Sequence, residues 1–314
     1  MIIFCASAIN VAAQSLEEAY DLYQKGVKAA EAKDYPAVIE YLTASIDMYA
    51  GITDLEGAEG VEGSARQVLS QMYYNYAMEL YQGKDFDKAL SLFKSAEELA
   101  QRSNLDEIAT RASSYIGRVY ISKASAAFTD KLYDETIEFS EGALKIDAEN
   151  ENAYFWRGRA YREKGDLNNM KTDLDKCIEL TKDNEQKEKT YSNAVKIASA
   201  AYMNAGMDAI KNKKHTDAIA NFEIAVSYPE VNANAYYYMA SSYNALSKWN
   251  DAVTAANKAL SMELKDASGT YFELGKAYEG LGKKAEACAA YKKVTSDQFK
   301  KSAEYQMQTI LKCN

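Results

Sequence analysis

Tyr271-Phe272-Glu273-Leu274-Gly275-Lys276-Ala277-Tyr278, followed after a polar turn by Ala287-Cys288-Ala289-Ala290-Tyr291, decides how the whole chain is read. Tyr271, Leu274, Gly275 and Tyr278 fall at i, i+3, i+4 and i+7, one face of an α-helix. Ala287, Tyr291 and Val294 repeat that spacing on a second helix. A glycine at the centre of the first face lets two helices cross closely, where a larger side chain would hold them apart.

The same arrangement recurs along the chain. The small residue of the first helix is Gly26, Ala77, Ala124, Gly158, Gly206, Ala240 and Gly275. Twelve positions on comes Val38, Ala89, Thr136, Met170, Ala218, Ala252 or Ala287. Sixteen on comes a plug: Leu42, Phe93, Ser140, Leu174, Phe222, Ala256 or Tyr291. Nineteen on lies Ser45, Ala96, Ala143, Cys177, Ala225, Ala259 or Val294. Between the helices sit Lys33-Asp34-Tyr35, Lys84-Asp85-Phe86, Lys131-Leu132-Tyr133, Gly165-Asp166-Leu167, Lys214-His215 and Lys248-Trp249, each a helix stop followed by a fresh start.

The pattern resembles the tetratricopeptide repeat, whose signature is W-x2-L-G-x2-Y…A-x3-F…P with a period of 34 residues. Tyr73, Tyr120, Tyr154, Tyr202, Tyr236 and Tyr271 stand where that signature has Trp. The resemblance implies an all-α fold: a right-handed superhelical solenoid of about seven helix-turn-helix repeats with a C-terminal capping helix. The repeats fall near 19–50, 70–100, 117–148, 151–182, 199–230, 233–264 and 268–298, and the cap at 301–313.

Spacings of the small residue locate the irregularities. From Ala124 to Gly158 and from Gly206 to Ala240 it is 34 residues, and from Ala240 to Gly275 it is 35. Three junctions are longer: 51, 47 and 48 residues, starting at Gly26, Ala77 and Gly158. The first insertion holds Gly51, Gly57, Gly60 and Gly63 among acidic residues and predicts a flexible loop over 51–64. The second keeps helical period through Leu105, Ile108, Ala109, Ala112, Ile116 and Val119, and the third through Tyr191, Ala194, Val195, Ala198 and Ala201. Long first helices are expected at both.

A formal charge of −9 with no strongly basic segment argues against nucleic acid as partner. No stretch reaches the ~18 apolar residues of a membrane-spanning helix. The start, residues 1–13, is uncharged and ends Val11-Ala12-Ala13. It reads as the apolar part of an export signal cut after Ala13, or as a short apolar end. The export reading predicts a periplasmic or envelope-associated protein of a Gram-negative bacterium. The mature cysteines, Cys177, Cys288 and Cys313, are not a disulfide framework by count, although Cys288 and Cys313 lie on successive C-terminal helices and can pair in an oxidising compartment.

In proteins similar to this one, the first helices line a groove that receives peptides or protein segments. The corresponding positions bring out Tyr23, Tyr74, Met78, Tyr81, Phe155, Arg159, Arg162, Met203, Met207, Tyr237, Asn244 and Phe272. Tyrosine brings contact area at low rotamer entropy, and methionine adapts to irregular surfaces. Arg159 and Arg162 near Phe155 either grip a carboxylate or pair with Glu163 or Asp166 on a solvated face. The Lys/Asn clamp with which some family members hold acidic C-termini is not reproduced, because Met203, Met207 and Tyr237 occupy positions where it needs polar groups. The one histidine, His215, and the lack of metal-ligand or phosphate-loop spacing speak against an enzyme, a metal or a cofactor. The expected function is a non-enzymatic scaffold for a protein or peptide. The alternatives are a structural or self-assembling subunit of an envelope complex and, last, a glycan-binding module.

Overall fold

The computed structural model describes residues 2–51, 58–229, 232–262 and 264–313, with the backbone alone for 2–14, 58 and 59. The described residues form α-helices and no strand. In chain order they are α1 (Ile2–Glu31), α2 (Tyr35–Ala50), α3 (Ala58–Gln82), α4 (Phe86–Arg102), α5 (Asp106–Thr129), α6 (Tyr133–Ile146) and α7 (Glu151–Glu163). There follow α8 (Leu167–Thr181), α9 (Glu188–Lys211), α10 (His215–Ser227), α11 (Ala233–Ala245), α12 (Trp249–Leu260), α13 (Ser268–Gly280), α14 (Lys284–Tyr291) and α15 (Asp297–Tyr305). The chain divides into two compact units, Met1–Arg157 and Gly158–Asn314, with the division inside α7. Each unit is an all-α helical repeat.

The turn inside each hairpin has one construction. Seven residues after the aligned small residue, the backbone takes positive φ: Lys33, Lys84, Lys131, Gly165, Lys213, Ser247 and Gly282. The next N–H reaches back five residues, from Asp34 to the Ala29 carbonyl at 3.0 Å, from Asp166 to Tyr161 at 2.9 Å and from Lys283 to Tyr278 at 2.9 Å. This is the Schellman closure, which satisfies a carbonyl that the helix end leaves open. Where Asp follows, its carboxylate caps the second helix: Asp34, Asp85 and Asp166 accept from the amides of Ala37, Lys88 and Asn169.

Packing then follows the register. The residues twelve and sixteen positions after the small residue are buried in every hairpin, from Val38 and Leu42 to Ala287 and Tyr291. Glycine at the crossing is a steric requirement. A methyl group built on Gly275 would lie 2.5 Å from the Tyr291 ring, one on Gly206 2.5 Å from the Phe222 ring, and one on Gly158 3.0 Å from Leu174. Gly26 meets Leu42 in the same way. Each fully buried plug of this size contributes on the order of 1.5–3 kcal/mol.

In the first unit α1 to α6 pack each on the next, and the first helices α1, α3 and α5 also touch in sequence. In the second unit α8 to α14 do the same, and α9, α11, α13 and α15 form a continuous row of first helices. Helices α5 and α9 are each 24 residues long, and their added turns bury Ala109 and Ala112, and Ala194, Val195 and Ala198.

Two expectations are corrected. Gly60 and Gly63 belong to α3 and not to a loop, and residues 52–57, with Gly57, lie outside the described residues. Arg66 is the counterweight to those glycines, because it holds Glu62 at 2.6 Å one turn away while Ala65 and Leu69 are buried. The cap starts earlier than 301, at Asp297, and continues from α15 as a π-turn over Gln306–Ile310. Cys288 and Cys313 are joined in a disulfide, with Cα atoms 5.9 Å apart.

Candidate functional site

A depression of about 1170 Å³ in the second unit lies along its row of first helices. The long helix α9 supplies one stripe: Lys196, Ser199, Met203 and Met207. Their spacing of three and four residues places them on one face. Asn204 stands beside that stripe, while α11 contributes Asn234 and Tyr238. The run-in to α13 closes the far side with Leu264, Lys265 and Asp266. Asp266 is already committed, because its carboxylate accepts from the Ser268 amide at 2.8 Å, a contact that holds the carboxyl below its usual range.

Met203 and Met207 are therefore brought together, and the remaining sequence-derived positions are scattered. Tyr237 turns toward α13, where its ring lies 3.0 Å from a methyl built on Gly269. Burial, and then the charge of Glu273, pushes its hydroxyl up to about 12. Asn244 is not a lining residue: it is buried, and its amide donates to the Glu273 carbonyl at 2.8 Å and to the Glu273 carboxylate at 2.7 Å. The same carboxylate is 3.1 Å from Lys276, so the charge on buried Glu273 is compensated inside the fold. Phe272 faces the cap, with its ring 5.6 Å from that of Phe299.

In the first unit, Tyr74 is core. It is 5% exposed, meets the edges of Phe93 and Tyr115 at 5.6 and 5.7 Å, and lies under the Arg111 guanidinium at 4.4 Å. Tyr81 is half-buried, with its hydroxyl 3.2 Å from Ser122 Oγ on α5. Met78 packs at the margin of that core. Tyr23 lies 6.1 Å from exposed Tyr20 on α1. Phe155, also in this unit, packs against Trp156 at 5.5 Å. Arg159 and Arg162 belong to the second unit. Burial, and then neighbouring Arg162, lowers the pKa of Arg159, and Arg162 Nε is 3.9 Å from Glu163.

The sequence reading missed Lys196, Ser199, Asn204, Asn234, Tyr238 and Leu264. Lys196 was missed because the groove positions were counted from a repeat of ordinary length, whereas α9 extends further toward its N-terminus. The signal was the 48-residue spacing from Gly158 to Gly206.

Antiparallel helix hairpins with a common turn, a common crossing and a shared row of first helices define a helical-repeat protein. Residues 151–184 and 268–296 match the tetratricopeptide repeat family model, which supports a tetratricopeptide repeat protein. A stretch of 97 residues, 31% of this chain, is 29% identical to the human zinc finger CCCH domain-containing protein 7B and spans 10% of that protein. Among solved structures, MamA is 22% identical, with 62% of this chain and 94% of that one covered at a TM-score of 0.36. A tetratricopeptide repeat protein from Parabacteroides merdae is 15% identical, with 96% and 100% covered at 0.32. YrrB, described as having an unusual peptide-binding site, is 15% identical, with 56% and 83% covered at 0.34.

Among the described residues no helix is long and apolar enough to cross a membrane, and no cluster of three or more His, Cys, Asp or Glu side chains is placed to hold a metal ion.

Proposed function

We propose that the protein is a non-enzymatic interaction scaffold that holds an extended segment of a partner protein along α9, α11 and the approach to α13. The observation that carries this reading is the 1170 Å³ depression, long enough in α9 to line up Ser199, Met203 and Met207 on one side and Tyr238 on the other. Met203, Met207 and Tyr238 supply adaptable apolar area. The amides of Asn204 and Asn234 each offer a donor and an acceptor, the complement of an extended peptide backbone. Selectivity then comes from which side chains the partner presents to the methionines. An exported location goes with this reading; the uncharged run before Gln14 and the paired Cys288 and Cys313 favour it.

The test is site-directed. A photoreactive residue placed at Met207 should crosslink a partner in the native cell, and one at exposed Lys258 on α12 should not. Combined Met203→Ala, Met207→Ala and Tyr238→Ala should lower the affinity for that partner by at least tenfold, about 1.4 kcal/mol, with the fold retained. Unchanged affinity in a folded triple variant would remove the groove as the binding surface.

A further inference from the structure

The C-terminal segment is attached at its two ends by different means. At its start, Ser268 Oγ at the head of α13 accepts from the Thr295 and Ser296 amides at 3.1 and 3.0 Å, which fixes the entry to α15. At its end, Cys313 is bonded covalently to Cys288 of α14, 25 residues earlier. Between these anchors the grip is slight. Ala303 is the buried residue of α15, and the π-turn over Gln306–Ile310 has none. Tyr305 and Ile310 face solvent at 56% and 50% exposure. Phe299, Met307 and Leu311 nevertheless lie over a cluster that includes Tyr271, Phe272 and Tyr291. Phe272 is thereby partly covered on the same row of first helices that forms the depression, and it still lines a smaller depression with Lys301, Tyr305 and Gln306 of the C-terminal segment.

We propose that residues 297–313 form a thiol-sensitive cap, hinged at Thr295–Ser296 and latched by the Cys288–Cys313 disulfide, which covers the Phe272 end of the row when oxidised and opens when reduced. The co-reactant is a dithiol. Its thiolate attacks the Sγ of Cys313, the more exposed residue of the pair, since Cys288 is 8% exposed and Cys313 is half-buried. The Sγ–Sγ bond breaks and Cys288 leaves as a thiolate, which takes a proton from water. The second thiol of the reductant, as its thiolate, then attacks the reductant's own sulfur in the mixed disulfide; Cys313 leaves as a thiolate and is protonated, and the reductant departs as its intramolecular disulfide, so two electrons pass from dithiol to protein. The cross-link holds the far end of the cap at high local concentration over the cluster. Without it, the apolar grip of one buried alanine and three partly buried side chains, Phe299, Met307 and Leu311, is what remains. The proposal rests on the scaffold reading only for its consequence, access to Phe272, and movement of the cap is read independently of any partner.

Hydrogen exchange on the full chain, with and without dithiothreitol, decides it. The expected result is at least a tenfold acceleration for amides of 297–313, with those of α9–α12 unchanged. Of the three cysteines after residue 13, alkylation should map to Cys288 and Cys313 and spare Cys177, which is buried in α8. Cys313→Ser without reductant should reproduce the open pattern. Unchanged exchange over 297–313 with both thiols alkylated would show that packing alone holds the cap and would overturn the proposal. Equal acceleration through α9–α14 would overturn it as well, since the bond would then staple the whole unit. Protection over 297–313 in Cys313→Ser equal to that of the oxidised chain would also refute it.

Discussion

Two neighbouring hairpins of the second unit solve one packing problem in opposite ways. In α9–α10 the crossing is a ring in a notch: Phe222 fills the space that Gly206 leaves, and its other face stacks on Tyr238 at 5.6 Å. In α11–α12 the crossing is alanine on alanine, Ala240 against a second helix that buries Ala252, Ala255, Ala256 and Ala259. The positions sixteen residues apart are the same, and the division of volume between them differs. Interiors are packed to crystal-like density, so where both residues of the pair are alanine the helices must approach more closely or other side chains must fill the space. What the repeats share is a residue small enough at the first position to admit whatever the second helix carries sixteen residues on.

The first way to break this comparison is to empty the notch. Phe222→Ala should cost about 3–5 kcal/mol in denaturant unfolding, because the glycine opposite it cannot refill the cavity. Ala256→Gly, at the equivalent position of the next hairpin, should cost only about 1 kcal/mol, mostly backbone entropy. Equal losses would mean that the two crossings do not differ in the way their side chains divide the space.

The second way is to move the ring. Ala256→Phe should overpack α11–α12 by about 1–3 kcal/mol, because the Ala240 methyl stands where the notch would be. Adding Ala240→Gly should recover part of that loss, and the double-mutant cycle should give a favourable coupling of at least 0.5 kcal/mol. Strict additivity would show that the two positions do not face each other.

Legibility in the sequence tracked this same distinction. The hairpins could be read because small residue and plug sit at a fixed separation on periodic faces, a local pattern that does not depend on the neighbouring repeat. The turns could be placed but not described: lysine occupies the positive-φ position at Lys33, Lys84, Lys131 and Lys213, where composition alone suggests glycine. The side chains with binding potential were harder. Tyr74 and Asn244 occupy groove positions in the count, but one is drawn into the core by Phe93 and Tyr115 and the other by Glu273. Those partners lie on other helices, and their approach is tertiary information that spacing does not carry. Tyr237 and Tyr238 are adjacent and point about 100° apart; Tyr238 lines the depression while Tyr237 packs toward Gly269, a choice set by how α11 sits against α9 and α13.

The smallest expected effect comes from the glycines that have no notch to serve. Gly60 and Gly63 lie in the first turns of α3, and a methyl built on either meets nothing within 4 Å. Both are exposed, so packing neither requires glycine there nor forbids alanine. Glycine costs a helix roughly 0.5–1 kcal/mol relative to alanine, through the freedom it has in the unfolded chain. Gly60→Ala and Gly63→Ala should each therefore raise stability by about that amount, where Gly275→Leu should lower it by about 1–3 kcal/mol by forcing Tyr291 out of its place. Hydrogen exchange over 58–66 should slow in the alanine variants, because the Arg66–Glu62 pair then closes on a turn that forms more readily. Exchange that stays fast in both variants would mean that α3 begins later than Ala58 in solution and that the glycine-rich stretch behaves as the loop its composition predicted.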